Sequence, residues 1–143
     1  MITIDCAGIP PTYFNGSTYD EKDQLPSLYK GVVDTNDVVA VQVSGQANNY
    51  VSLDVIEREL SGYEFVGAHV AECYQRPENR EAFLAVCPSG YLVFLEKYSW
   101  EKDEFVVVCL FVHDGVVCSS LYNYAYDGFG DEHHFAVRRK LNV

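Results

Sequence analysis

The chain has 143 residues, with 21 Asp and Glu against 10 Lys and Arg, so its formal net charge is −11. This length suits one hydrophobic core, and we expect a single domain over residues 1–143. A hydrophobic content of 48% excludes a disordered or low-complexity protein. The acid excess argues against direct binding of nucleic acid, because that binding depends on Lys and Arg displacing counterions from phosphates.

The first residues contain neither a basic start nor the apolar run that a secretory signal needs, so the sequence predicts no such signal. The longest apolar run, 105–112, is far shorter than the roughly twenty residues of a membrane helix. We therefore expect a cytoplasmic protein, in the host cytoplasm if the source is viral. The cysteines form no C-x-x-C pair and most lie in apolar stretches, which predicts reduced, buried thiols and no cofactor.

Residues 1–37 contain the breakers Pro10, Pro11, Pro26 and Gly31, so we predict an irregular amino-terminal segment packed on the core. The core is expected over 38–143. It begins with a strand at 38–43, where β-branched residues dominate.

One short helix is predicted next. Ser52 is a good N-cap, and Leu53, Ile56 and Leu60 recur at helical spacing. Gly62 is placed to end the helix in a left-handed conformation. Residues 63–74 fit a strand or a second helix, and we favour the strand.

In the second half of the chain we predict antiparallel strands at 82–87, 91–98, 104–112, 116–126 and 134–141. Turn signals separate the first pair at 88–90 and the third and fourth strands at 114–115. The fold class is therefore expected to be α+β. An antiparallel sheet of about five or six strands, ending in a carboxy-terminal meander, would pack with the short helix and the irregular amino-terminal segment.

Asp114-Gly115 suits a two-residue type I′ turn, which pairs His113 with Val116 and sets the register of the hairpin. In this register both faces of the hairpin are apolar. One short helix does not cover two faces, so the amino-terminal segment or a partner chain, such as a second copy in a homodimer, is expected to cover the other.

Tyrosines alternate along the end of the predicted strand and lead into an acidic loop. The rings either cap the edge of the core or form a binding surface, because tyrosine combines a large contact area with a polar tip. The expected partner-binding residues are Tyr122, Tyr124, Tyr126, Asp127, Asp131 and Glu132.

The loop 127–134 also brings acids beside His133 and His134, which are weak candidates for metal ligands. Adjacent histidines on an extended chain point in opposite directions, and the spacing of common metal motifs is absent. The plainer alternative is a solvated hairpin loop whose acids face Arg138, Arg139 and Lys140. No catalytic residues can be assigned, and the sequence favours a protein that is not an enzyme.

The sequence predicts a non-enzymatic, acidic protein-binding domain, acting as an inhibitor or neutraliser of a basic, nucleic-acid-processing partner. Acidic surfaces select basic partners through complementary charge. Immunity proteins against nuclease toxins and phage anti-defence proteins share this size and charge, and only that. The alternative is a small enzyme, or a small-molecule or metal-binding domain, that uses the loop 127–134. Neither alternative implies contact with a membrane.

Overall fold

A computed structural model describes residues 3–4, 18–19, 24–25, 28–29, 31, 33–34, 36–87, 89–100, 104–124 and 128–139. Within this part of the chain the structure has ten strands: β1 (Thr3–Ile4), β2 (Thr18–Tyr19), β3 (Leu28–Tyr29), β4 (Val33–Asp34), β5 (Val39–Val41), β6 (Tyr63–Val66), β7 (Tyr91–Trp100), β8 (Glu104–His113), β9 (Val116–Asn123) and β10 (His133–Arg139). Its α-helices are α1 (Leu53–Glu59), α2 (Ala68–Tyr74) and α3 (Arg80–Val86). Short 3-10 helices span Ser44–Ala47 and Pro77–Asn79.

The described strands form an eight-stranded sheet and a separate pair, β1 with β4. The main sheet has the order β3-β6-β10-β7-β8-β9, with β2 joined to β7 and β5 joined to β10. Because the described pieces of the amino-terminal segment include β2 and β3, that segment contributes strands to the sheet. The broad α+β class is consistent with the prediction.

The sheet is mixed, so the expected purely antiparallel sheet is wrong. β10 runs parallel to β7 and antiparallel to β6. The predicted meander therefore ends at β9, and β10 returns to the middle of the sheet. The run Phe135-Ala136-Val137 explains this position: all three residues are fully buried, as expected of a strand covered on both faces.

The prediction of one helix is also wrong, although that helix is present as α1. It begins after Ser52, whose side chain makes no cap hydrogen bond, and its C-cap is Leu60. Gly62 does not have a positive φ, so the expected left-handed end is absent. Residues 63–74 divide between strand β6 and helix α2.

The apolar run 82–87 lies mostly in α3, not in a strand. Its buried residues are Ala82, Phe83 and Cys87, whereas Ala85 is exposed. That spacing is helical, but a short apolar run carries too few residues for its period to be clear.

Helices cover both faces of the central sheet. α2 and α3 pack with one set of alternate residues of β7 and β8, represented by Phe94 and Val108. α1 packs with the other set, represented by Val93 and Val107. Leu25 and Leu28 of the amino-terminal segment pack against the same cluster, so that segment helps to cover the second face of β8, as expected, together with α1. Cover by a partner chain stays a prediction.

The β8–β9 hairpin has the predicted register. Pairing runs without interruption from His113 opposite Val116 to Val106 opposite Asn123. Asp114 and Gly115 have φ values of 51° and 76°, as a type I′ turn requires.

Three of the described cysteines, Cys87, Cys109 and Cys118, are free thiols, whereas Cys73 is disulfide-bonded. The prediction that all thiols are reduced is wrong for Cys73. Burial raises the pKa of Cys87 to about 11 and that of Cys109 to about 12, so both thiols stay protonated and unreactive at neutral pH. The described helices include none that is long and apolar enough to cross a bilayer.

Candidate functional site

The predicted site residues that the structure describes lie in or next to the segment 128–133, which precedes and enters β10. We call this segment the 128–133 loop. Its start is fixed to the segment before α1: Phe129 exchanges two backbone hydrogen bonds with Val51, each 2.8 Å long. Gly128 has a φ of 73°, and its carbonyl accepts a hydrogen bond from the hydroxyl of Tyr122. Tyr126 and Asp127 lie outside the described residues.

Two glutamine side chains hold the rest of the loop. Nε2 of the buried Gln46 donates to the carbonyls of Gly130 and His133 at 2.7 and 2.8 Å, while its Oε1 accepts from the amide of Val43 at 2.8 Å. Gln42 donates to the carbonyls of Asp131 and His133. The loop is thus fixed by specific partners, although its sequence is typical of a flexible, solvated turn.

His133, the last residue of the 128–133 loop, is 3% exposed. Its Nδ1 accepts a hydrogen bond from the amide of Gly130 at 3.0 Å. The ring lies among aromatic neighbours, with centroid distances of 4.6 Å to Tyr122, 5.5 Å to Phe129 and 5.7 Å to Tyr91. Burial lowers the pKa of His133, and this effect outweighs the opposing effect of the Glu132 carboxylate. The neutral imidazole therefore acts as a hydrogen-bonded part of an aromatic cluster.

The two histidines proposed as metal ligands do not share a site in the described part of the chain. His133 uses Nδ1 for the loop, and the next residue in the strand, His134, lies on the other face. No group of three or more potential ligands is present among the described residues, a set that does not include Asp127. Metal binding remains a prediction without a donor set.

Tyr122 and Tyr124 are partly buried at the edge of the core. Their ring centroids lie 5.5 and 6.5 Å from that of Phe129. One part of each ring packs against the core and another part remains accessible. The two alternatives for these tyrosines are therefore compatible, since a ring that caps the core also offers a rigid outer surface.

A groove of about 310 Å³ opens beside the loop, between residues 46–50 and 130–132. The ring of Tyr50 is 55% exposed along it. A Cβ on Gly130 would lie 2.8 Å from the ring of Tyr50 and 2.9 Å from a carboxylate oxygen of Glu132, so both side chains flank this glycine closely. Sequence reasoning missed Tyr50, because it is separated from the acidic loop by about eighty residues and carries no motif.

The charged side chains at the groove are acidic. Asp131 is exposed, and the side chain of Glu132 is 40% exposed. Arg138, which was expected to face these acids, contacts Glu64 at 3.5 Å instead and lies 3.1 Å from the ring centroid of Tyr29. The expected pairing of the loop acids with Arg138 is therefore wrong. Lys140 lies outside the described residues.

No protein-family model, curated protein or solved structure matches the chain. What the molecule does must therefore be argued from its own residues. The described residues present an α+β fold with an anchored acidic loop. Tyr122 and Tyr124 pack on Phe129 of this loop, and Tyr50 lies beside its Gly130. We call this combination the tyrosine–acid surface.

Proposed function

We propose that the chain is a non-enzymatic protein-binding domain that uses the tyrosine–acid surface to bind and inhibit a basic, nucleic-acid-processing protein. The observation that carries the proposal is the anchoring of the 128–133 loop. Gln46 and His133 hold the backbone that presents Asp131 and Glu132. A loop that is ordered before binding loses little conformational entropy when a partner arrives, which favours affinity.

The aromatic residues supply the contact area that carboxylates lack. Tyr50 is more than half exposed, and Tyr122 and Tyr124 are partly exposed and packed on Phe129. Rigid tyrosines of this kind are frequent among the residues that contribute most to protein–protein affinity. The carboxylates of the loop would select the partner by charge, and the tyrosines would contribute most of the affinity.

The net charge of −11 supports the choice of a basic partner. An excess of one charge raises the association rate with a partner of opposite charge and repels proteins of like charge. Enzymes that process nucleic acids carry basic surfaces to bind phosphates. A domain bound to such a surface would keep the nucleic acid away from it. The comparison with immunity-type and anti-defence inhibitors rests on size and charge alone.

The test is affinity capture at low and high salt with the wild type and two charge-matched variants, followed by assay of the captured protein. D131N/E132Q removes two charges from the loop, and E78Q/E81Q removes two exposed charges from the region of α3. We expect a basic nucleic-acid-processing protein to be captured at low salt and inhibited by the wild type and by E78Q/E81Q. D131N/E132Q should bind it at least about tenfold more weakly. Equal retention by both variants would contradict the proposed surface, and failure to capture any basic protein would contradict the proposed partner.

The groove favours one alternative, a site for a small polar ligand. Its volume of about 310 Å³ falls at the lower end of ordinary ligand sites, and Asn48, Asn49 and Tyr50 line it with polar groups. Amide chemical shifts recorded against a panel of small polar metabolites would test this alternative. Saturable shifts confined to residues 46–50 and 130–132 would favour it over the protein-binding proposal.

A further inference from the structure

β9 forms one end of the strand order in the main sheet, and among the described residues only β8 pairs with it. In a hairpin with a two-residue turn, the residues that flank the turn exchange hydrogen bonds, and the pattern then alternates along the strand. His113 and Val116 flank the turn here. The backbone N–H and C=O groups of Val117, Ser119 and Leu121 therefore point away from β8, along an edge that no other described strand occupies.

In the part of the chain that the structure describes, this edge lacks the charges, prolines and bulges that usually prevent pairing with another chain. Residues 116–124 contain no charged residue, no proline and no glycine, although 22% of the whole chain is charged. The pairing of β8 with β9 has no bulge, whereas that of β7 with β8 shifts register between Phe94 and Tyr98. A long, regular edge of this kind is a template for an added strand.

We propose that a second copy of the chain pairs its β9 with this edge in antiparallel orientation, with the two-fold axis at Ser119. A two-fold axis normal to the sheet keeps equivalent faces on the same side, so facing residues must belong to the same face. Ser119 then faces Ser119 of the second copy, and Val117 faces its Leu121. These are the residues with outward backbone groups, so each facing pair exchanges two hydrogen bonds.

The side chains and the charge favour a second copy over a basic partner at this edge. Val117 and Leu121 are partly buried against the core cluster that includes Val108, so their pairing across the axis extends an apolar strip. The serines at the axis are small. Since no residue of 116–124 is charged, self-pairing places no like charges opposite one another, and nothing along the edge selects a basic protein.

Ionic strength separates this proposal from the proposed function. Two copies that each carry −11 repel one another away from the neutral edge, so added salt should tighten the dimer. The same salt should weaken binding of a basic protein to the tyrosine–acid surface. The two proposals therefore succeed or fail independently.

The test is sedimentation velocity of the full chain over a range of concentrations and at two salt concentrations. Three variants at Ser119 are compared: S119P, S119E and the conservative S119T. Proline removes an N–H that points away from β8, so it leaves the hairpin's own hydrogen bonds intact. S119E places two negative charges together at the axis. We expect S119P and S119E to raise the dimer dissociation constant at least about tenfold, and S119T to leave it within about twofold.

Residue-resolved amide hydrogen exchange at low and high protein concentration checks the register. Val117, Ser119 and Leu121 should gain protection as the concentration rises, while Cys118 and Ser120 are already bonded to β8 and should change little. Urea unfolding of each variant tests whether its fold is retained. If S119P is unfolded, S119E alone tests the dimer interface. A wild-type chain that stays monomeric throughout would overturn the proposal, as would a dimer indifferent to both disruptive variants.

Discussion

The amide of Gly130 donates a hydrogen bond to Nδ1 of His133 at 3.0 Å, so a buried imidazole closes the loop that presents Asp131 and Glu132. This bond exists only while Nδ1 carries no proton. The proton of the neutral ring must therefore sit on Nε2. A side chain that sequence reasoning assigned to possible metal binding instead maintains the geometry of the proposed binding surface.

The stability of the protein should consequently depend on the protonation of His133. The pKa of His133 is lowered in the folded state. Between this lowered pKa and the ordinary one, the folded state therefore binds fewer protons than the unfolded state. The contribution of the neutral ring is fully present above the ordinary histidine pKa, about 6.5, and is lost as the pH falls through the lowered value. H133F removes the acceptor and should cost about 2 kcal/mol at pH 7.5 and distinctly less at pH 5. Urea unfolding at both pH values measures this difference.

His113 provides the matched control for that experiment. Its side chain is 73% exposed beside the β8–β9 turn. H113F should therefore change the free energy of unfolding at pH 7.5 by much less than H133F does. If H133F showed the same cost at both pH values, the proposed role of the neutral ring would be wrong.

Replacement of Gln46 should loosen the 128–133 loop. Its side chain is 2% exposed and satisfies the amide of Val43 and the carbonyls of Gly130 and His133. Q46M has a similar volume but leaves these groups without that partner, so we expect a loss of about 3 kcal/mol in unfolding free energy. Q42M removes hydrogen bonds made by an exposed glutamine and should cost about 1 kcal/mol or less. Chemical denaturation of both variants tests the comparison, and equal costs would contradict it.

The conformation of Gly128 predicts a second local effect. Its φ is 73°, and an added Cβ would lie 2.6 Å from the carbonyl oxygen of Val51. G128A therefore combines backbone strain of about 1 kcal/mol with displacement of the Val51–Phe129 pair. G115A is the control, because Gly115 has a φ of 76° but its Cβ would meet nothing closer than 3.5 Å. We expect G128A to lower the urea midpoint clearly more than G115A does, and equal shifts would exclude the steric contribution.

Local signals were sufficient where neighbours in sequence are also neighbours in space. The Asp114-Gly115 turn determines the hairpin register from two residues, and the spacing of Leu53, Ile56 and Leu60 identifies α1. These elements follow from backbone preference and from the hydrophobic period, both of which a single sequence contains.

The remaining features depend on contacts between distant segments. Residues 82–87 and 135–137 are both short apolar runs, but the first forms most of a helix and the second a central strand. Tertiary packing decides between these outcomes, and propensity does not. The same holds for the candidate site, since Gln46 and Tyr50 acquire their roles only when the chain brings them beside Gly130.

The disulfide of Cys73 should contribute measurably to stability. The residue is fully buried within α2, where it belongs to the core cluster that covers one face of the sheet. A disulfide restricts the unfolded chain and typically contributes about 2–4 kcal/mol. We therefore expect a strong reductant to lower the urea midpoint of the wild type. C73A should start from a lower midpoint and show no further response to the reductant, because its remaining described thiols are already free. A wild-type midpoint unchanged by full reduction, verified by thiol titration, would show that the bond contributes little to stability.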